Sequence, residues 1–207
     1  MTSRTTNYFN VLASLPLRAE ITDNTGGALL LDNTLENLGE RIRATHAAGG
    51  KLMFIGNGGS AGIASHMAID YSKNGGFRSL AFNDGAALTC LGNDLGYDQV
   101  FAKQVDLHAN AGDMLIAISS SGKSANILHA VEVARERGCF ILTLSGFARD
   151  NPLRSFGDVN IYVPSREYGF VEISHLALCH AVLDLEMGWG KKHTAQDQLT
   201  GASVATA

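Results

Sequence analysis

The stretch that most constrains this chain covers residues 51–70, KLMFIGNGGSAGIASHMAID. An apolar run over 52–55 leads into the turn GNGGS, and an alanine-rich segment with helical character follows. This pattern predicts a buried strand, a glycine turn and the start of a helix. Backbone N–H groups and the positive end of the helix dipole converge at such a junction. It therefore suits an anion, most often a phosphate.

From this stretch onward, short apolar segments alternate with helical patterns. The alternation predicts a doubly wound α/β domain, a flavodoxin-like three-layer αβα sandwich around a five-stranded parallel sheet. Ligands of such sheets are expected at the carboxyl ends of the strands. Strands are predicted over 52–55, 79–82, 114–118, 140–144 and 160–163, and helices over 61–72, 85–91, 124–137 and 167–187.

The part of the chain before the first of these strands has helical patterns. Helices are predicted near residues 8–15 and over about 29–48, with the turn DNTGG at 23–27 between them. They have no strand partner of their own, so they are expected to wrap the domain or to pack against another subunit. Residues 1–190 are predicted to form one domain that includes these helices, and 191–207 a flexible tail.

Composition and charge exclude several classes of protein. The net charge is −4 and no basic block exceeds two residues, which argues against a nucleic-acid partner. No apolar stretch reaches the roughly 18 residues that span a membrane, and no signal peptide is visible. Cys90, Cys139 and Cys179 are widely spaced and fit a reduced cytoplasm better than a disulfide framework. We therefore expect a cytoplasmic protein without a membrane partner.

A second anion cradle is predicted at SSSGKS, residues 119–124, which follows one strand and opens a helix. Its hydroxyls and helix-start N–H groups would lie beside the first turn in a parallel sheet. The segment is not a P-loop, because Ala117 stands where that loop needs glycine. The first turn is not a dinucleotide fingerprint, because Ala61 replaces its third glycine. A plain strand-to-helix turn remains open for GNGGS, and a plain polar N-cap for the serine run.

Two helical segments carry polar side chains that could perform chemistry. His66 and Asp70 are four residues apart and share a helix face. They could be half of a metal site, a base with its orienting partner, or an ordinary surface pair. Glu172, His175 and His180 lie in an apolar helical pattern, where a site and satisfied core histidines are both open.

Taken together, these stretches resemble the SIS (sugar isomerase) domain family, within it the branch that isomerises a phosphorylated heptose. The resemblance is carried by GNGGS after one strand, SSSGKSAN after a later one, GND between them and Glu and His on the last helix. It covers about residues 8–187. It implies a homotetramer with active sites between subunits. It also implies aldose–ketose isomerisation of a phosphorylated sugar through an enediol, with sedoheptulose 7-phosphate as substrate and glycero-manno-heptose 7-phosphate as product.

The resemblance also assigns roles to matching residues. The implied catalytic residues are Asp70 and His180. The implied ligands of zinc, or of another divalent ion, are His66, Asp70, Glu172 and His180. The implied substrate-binding residues are Asn57, Gly58, Gly59, Ser60, Asp94, Ser119, Ser120, Ser121, Ser124 and Glu172. Asp94 is predicted to lie in a loop, where it could contact a sugar hydroxyl or cap the next helix.

Four positions depart from the family pattern. Asp70 replaces a glutamate and Glu172 a glutamine, while Ile69 stands at an acidic position and Asn74 at an arginine. These changes leave the sugar open, so an isomerase of a different phosphosugar is one alternative. The other is a non-catalytic SIS protein that senses a sugar phosphate or binds a replication initiator protein. Four retained potential ligands favour chemistry over such a binding module.

Overall fold

A computed structural model describes residues 3–190 of the 207-residue chain. Its seven strands form one sheet in the order β2-β1-β7-β6-β5-β3-β4. The strands are β1 (Glu20–Asp23), β2 (Ala28–Leu29), β3 (Leu52–Gly56), β4 (Ser79–Ala81), β5 (Met114–Ser119), β6 (Phe140–Ser145) and β7 (Val159–Tyr162). The helices are α1 (Arg4–Ser14), α2 (Leu31–Ala47), α3 (Gly59–Lys73), α4 (Gly85–Leu95), α5 (Val100–His108), α6 (Ala125–Glu136) and α7 (Tyr168–Glu186).

The five strands predicted from the sequence form the parallel part of this sheet. β3 lies between β4 and β5, β6 pairs with β5, and β7 pairs with β6, all in parallel. Every residue of β3 and β5 is buried, as expected for strands covered on both faces. The predicted α/β sandwich is therefore confirmed, and the carboxyl ends of β3 and β5 lie side by side at one edge.

The N-terminal region corrects the predicted strand count, because it adds two strands. β1 pairs antiparallel with β7, and β2 pairs antiparallel with β1. The predicted turn at 23–27 is the hairpin loop, in which the Asp23 carboxylate accepts hydrogen bonds from the amides of Thr25 and Gly27. Strands of four and two residues are too short to leave a periodic signal. They cover an edge of β7 that would otherwise be unpaired.

Buried side chains form one cluster on each face of the sheet. Alternate residues of β3 point to opposite faces, with Phe54 in one cluster and Met53 in the other. The first cluster joins the sheet to α2, α3 and α7, and the second joins it to α5 and α6. The helices that carry the candidate catalytic side chains, α3 and α7, therefore pack together on one face.

The two helices of the N-terminal region differ in burial. α2 buries a stripe that includes Leu35, Leu38 and Ile42, whereas α1 has no buried residue.

Within residues 3–190, no helix combines the length and the apolar character that crossing a membrane requires. The predicted tail over 191–207 lies outside the described residues.

Candidate active site

The turn after β3 lines one side of a cavity at the strand ends, where an anion site is predicted. β3 ends at Gly56, and α3 begins three residues later at Gly59. A Cβ at Gly56 would lie 2.5 Å from the backbone oxygen of Ser60, so a side chain at this position would open the turn. Gly58 has a φ of 55°, a left-handed conformation that favours glycine. The glycines thus allow the chain to reverse sharply and present the first N–H groups of α3.

The serine run after β5 lines the other side of this cavity. Ser119 and Ser120 are each only 5% exposed. The Ser119 hydroxyl accepts a hydrogen bond from the Gly122 amide at 3.2 Å and lies 3.4 Å from the Ser124 hydroxyl. The Ser120 hydroxyl has no hydrogen-bond partner in the described structure. A buried hydroxyl without a partner is costly, and a bound ligand would satisfy it.

These two loops enclose a cavity of about 250 Å³. Serine hydroxyls and helix-start amides are neutral hydrogen-bond donors, which suits an anion held without a salt bridge. Among the described residues that line the cavity, Glu172 alone carries a charge. The lining residues are Asn57, Gly58, Gly59, Ser60, Ser119, Ser120, Ser121, Ser124, Tyr168 and Glu172. Nine of these ten were predicted to bind substrate, and Tyr168 was not.

A cluster of three side chains lies further along α3 and α7. His66 Nε2 is 3.2 Å from His180 Nε2 and 3.5 Å from Asp70 Oδ2. The same Asp70 oxygen is 3.9 Å from His180 Nδ1. Tertiary packing therefore joins the helical pair His66 and Asp70 to His180, which the sequence alone could only suggest. The His66 side chain is 50% exposed and Asp70 20%, so the cluster opens to solvent.

The donors of this cluster fit a divalent metal. One ligand atom from each of His66, Asp70 and His180 lies within 4.8 Å of the others. Ligand atoms around a tetrahedral zinc ion are about 3.3 Å apart when the bonds are about 2.0 Å; the His66 Nε2–His180 Nε2 and His66 Nε2–Asp70 Oδ2 separations are close to this value. Two imidazoles and one carboxylate are a set that zinc accepts in open catalytic sites. Small side-chain rotations would bring the three donors onto one ion.

Glu172, the fourth predicted ligand, is not among the three residues whose ligand atoms lie within 4.8 Å of one another. Its carboxylate lies against Gly59, so close that a Cβ on that glycine would overlap it. Glu172 and His180 are eight residues apart on α7, or about 12 Å along the helix axis. The Glu172 carboxylate forms part of the cavity wall, and its role as a fourth metal ligand stays a prediction.

Asp94 lies apart from both features. It belongs to the last turn of α4, which extends to Leu95, so the predicted loop at this position is wrong. The helix continues because residues 92–94, Gly-Asn-Asp, lack a breaker strong enough to end it before Gly96, whose φ is 89°. The Asp94 carboxylate is exposed and accepts a hydrogen bond from Asn93. Its predicted contact with the substrate stays a prediction.

The cavity wall also depends on two residues that sequence reasoning did not single out. Asn126 and Tyr97 both hydrogen-bond to Asn57. Asn126 stands in the quoted segment SSSGKSAN, but its partner is 69 residues away in the chain. No local pattern reports such a pairing.

His175 is a core histidine of α7. It is fully buried, and its Nε2 donates to the backbone oxygen of Ser145 at 3.0 Å, while Nδ1 has no partner in the described structure. Burial lowers the pKa of His175 to about 4, against a smaller upward effect of the bond to Ser145. The ring is therefore neutral at pH 7. Of the two interpretations open for this residue, the core histidine fits its burial and its bond to Ser145, although its Nδ1 lacks a partner.

A doubly wound sheet with serine hydroxyls and helix N-termini at its strand ends is typical of a class of proteins that bind phosphorylated metabolites. The SIS domain model matches residues 29–146, and the chain belongs to the SIS domain family. The predicted family is thus confirmed. The match includes both loops of the cradle and ends after β6.

Curated relatives and solved structures agree with this family. The chain is 38% identical over 150 residues to a phosphoheptose isomerase of Rhodospirillum rubrum, covering 70% of this chain and 79% of the relative. The structure of phosphoheptose isomerase GmhA from Neisseria gonorrhoeae superposes with a TM-score of 0.75 and 30% identity, over 88% of this chain and 97% of that one. A phosphoheptose isomerase from Francisella tularensis gives 0.72 and 28%, over 90% and 98%. These likenesses confirm the predicted class of enzyme, a phosphosugar isomerase.

Proposed function

We propose that this protein interconverts a ketose phosphate and an aldose phosphate, with sedoheptulose 7-phosphate as its substrate. The relatives named phosphoheptose isomerase support the choice of sugar. The observation that carries the proposal is the spacing between the anion cavity and the His66, Asp70 and His180 cluster. Both features include residues of the same pair of packed helices, α3 and α7.

This spacing matches the length of a long sugar phosphate. Gly59 of α3 lies against Glu172 of α7 at the cavity end, and His66 faces His180 at the other. Seven residues on α3 and eight on α7 separate the two ends, or about 10–12 Å. An extended seven-carbon chain built from bonds of about 1.5 Å places C1 roughly 10 Å from a phosphate on C7. The phosphate can thus occupy the cradle while C1 and C2 reach the cluster.

The cradle supplies binding energy far from the reacting carbons. The serine hydroxyls and the first amides of α3 and α6 bind the phosphate and thereby orient the open-chain sugar. The unpartnered Ser120 hydroxyl gains its missing hydrogen bond only when the phosphate is present. The Glu172 carboxylate, next to the cradle, can accept hydrogen bonds from sugar hydroxyls near the phosphate end.

The cluster supplies the proton transfers. Asp70 Oδ2 takes the proton from C1 of the ketose, which gives an enediol, and the proton is returned to C2. His180, whose Nδ1 lies 3.9 Å from Asp70 Oδ2, moves the hydroxyl proton from O1 to O2. The reaction is balanced, since the carbonyl moves from C2 to C1 and no electron acceptor is needed. Asp70 is one methylene shorter than glutamate, so the sugar must approach α3 closely.

A divalent ion, zinc by our proposal, would be held by His66, Asp70 and His180. When bound, it supplies a positive charge that polarises the sugar carbonyl. His66 serves in this arrangement as a ligand and not as a base. Support comes from the donor separations and from the chemistry of two imidazoles with one carboxylate.

We further propose that the chain assembles as a homotetramer through its N-terminal helix. α1 has no buried residue, and Tyr8, Phe9 and Val11 are exposed by 45%, 59% and 38%. A helix with such an apolar surface is expected to be covered. Light scattering on the purified protein tests the tetramer, and Phe9→Glu should shift it towards smaller species.

The function is tested with a panel of ketose phosphates of five, six and seven carbons, assayed with zinc and with a chelator. We expect the highest kcat/KM for sedoheptulose 7-phosphate and a steep fall for shorter sugars, which cannot span both features. Chelation should abolish turnover, and zinc should restore it. The unphosphorylated ketose serves as a matched control for the cradle.

Three outcomes would reject parts of this proposal. Preference for a pentose or hexose phosphate would reject sedoheptulose 7-phosphate as the substrate, while the protein would still be a phosphosugar isomerase. Tight binding of sugar phosphates without any turnover, with zinc present, would instead indicate a sensor. Equal turnover with and without the chelator would show that no metal ion takes part in the reaction.

A further inference from the structure

A hydrogen-bonded pair of asparagine side chains links the two loops of the anion cradle. Asn126 lies in the first turn of α6 and is only 3% exposed. Its Oδ1 accepts from Asn57 Nδ2 at 2.9 Å, and its Nδ2 donates to Asn57 Oδ1 at 3.0 Å. The two side chains thus form a reciprocal pair that joins the glycine turn after β3 to the helix that follows the serine run.

A third group completes the hydrogen bonding of the Asn57 oxygen. The hydroxyl of Tyr97 donates to Asn57 Oδ1 at 3.0 Å. An amide oxygen has two lone pairs, and Asn126 and Tyr97 use both. Asn57 therefore has no acceptor left for a ligand.

The nitrogen of the same amide is only half used. An amide nitrogen carries two N–H donors, and Asn126 accepts one of them. Asn57 lines the anion cavity, so the second N–H is available to a ligand there. The side chain offers the cavity one donor and no acceptor, which fits a fully charged phosphate oxygen and disfavours a hydroxyl donor.

We propose that Asn126, assisted by Tyr97, is a positioning residue that fixes the Asn57 amide as a donor to the substrate phosphate. The inference rests on the proposed function, since it assigns a phosphate to the cavity. Without Asn126, the Asn57 amide can rotate and turn its oxygen towards the anion, which repels it. Asn126 itself does not line the cavity, so its effect on binding passes through Asn57.

A double-mutant cycle tests this dependence. We expect Asn126→Ala to raise KM for the sugar phosphate about tenfold, the factor for one hydrogen bond to a charged group, with kcat within twofold. The double variant Asn57→Ala/Asn126→Ala should bind no worse than Asn57→Ala alone. Asn37→Ala, at an exposed position of α2, is the matched control and should leave KM unchanged. Equal KM values for Asn126→Ala and wild type, or additive effects in the double variant, would overturn the proposal.

Calorimetric titration with inorganic phosphate separates this inference from the proposed function. If wild-type protein binds phosphate but isomerises no sugar, the function fails, while a tenfold weaker phosphate Kd in Asn126→Ala still supports the inference. If wild-type protein isomerises the sugar phosphate but binds no inorganic phosphate, the inference fails and the function stands. Should Asn126→Ala not fold, Tyr97→Phe replaces it, because Tyr97 is 60% exposed and loses only its hydroxyl. A KM or phosphate Kd about threefold higher is then expected, and no change would reject the proposal.

Discussion

The anion cradle and the His66, Asp70 and His180 cluster are built in opposite ways. The cradle consists of loops at the ends of buried strands, and Ser119 and Ser120 are almost fully enclosed. The cluster consists of side chains on the outer surfaces of two helices, and its histidines are 50% and 32% exposed. Backbone geometry defines the first, and helix packing defines the second.

This difference has a consequence for catalysis. A rigid, enclosed cradle can contribute equally to binding of substrate and transition state, which lowers KM. Side chains that can move protons and accept a metal act on the transition state and raise kcat. Substitutions in the two regions should therefore separate into KM effects and kcat effects, and the following predictions test that separation.

The largest expected effect is at Asp70. Asp70→Asn keeps the size of the side chain but removes its ability to take a proton. We expect kcat to fall roughly 10²- to 10⁴-fold, with KM little changed. Steady-state kinetics at saturating zinc check this, with Asp32→Asn on the exposed side of α2 as the control. Turnover close to that of the wild type would show that Asp70 is not the base.

The second effect is on stability and concerns His175 of α7. Its side chain hydrogen-bonds to the backbone oxygen of Ser145 at the end of β6. Its pKa is about 4 in the folded protein and about 6.5 in an unfolded chain. Between these values the unfolded state binds the extra proton, so the free energy of unfolding falls by about 1.4 kcal/mol per pH unit as the pH drops from 6.5 towards 4. Above pH 6.5 both states are neutral, and the effect vanishes.

Urea unfolding at pH 6.5 and 5.0 measures this contribution against His175→Gln, which keeps an N–H donor for Ser145 and does not titrate. Wild-type protein should lose about 2 kcal/mol more than the variant over this interval. His108→Gln, at an exposed position, should behave as wild type does. Parallel losses in wild type and His175→Gln would show that His175 charges normally in the folded state.

The third effect is at Ser120 and distinguishes binding from stability. Its hydroxyl is buried without a partner, so Ser120→Ala removes no hydrogen bond from the free protein. We expect Tm to stay the same or rise, while KM for the sugar phosphate increases about tenfold and kcat does not change. Thermal unfolding and kinetics check the two parts, with Ser155→Ala as the control. A lower Tm with an unchanged KM would make Ser120 a structural residue only.

The smallest effect is at Glu172, the one charged residue among those that line the cavity. Its carboxylate repels a phosphate dianion, so Glu172→Gln should lower KM about fivefold, for an interaction of about 1 kcal/mol. The gain should shrink at high salt, because screening weakens the repulsion. Glu36→Gln, exposed on α2, controls for net charge. A higher KM in Glu172→Gln would mean that the carboxylate binds the sugar more strongly than it repels the phosphate.

Sequence reasoning succeeded where the signal is local. The apolar run at 52–55, the glycines after it and the serine run at 119–121 are each local signals, and they predicted the strand and the two loops that line the cavity. Sequence reasoning failed where an element is too short to show periodicity, or where the contacting residues are far apart in the chain. β1 has four residues and β2 two, which is too few for periodicity to register. The pairing of Asn57 with Asn126 spans 69 residues of chain, and no local pattern contains it.

The sequence by itself determined the parallel sheet, the position of the cradle and the class of side chains available for chemistry. These depend on alternating hydrophobicity and on glycine and serine at strand ends, which act over a few residues. Only the tertiary structure decided which of the four candidate ligands meet. The packing of α3 along α7 brings His66 and Asp70 to His180 and places the Glu172 carboxylate against Gly59 in the cavity wall, eight residues before His180 on the same helix.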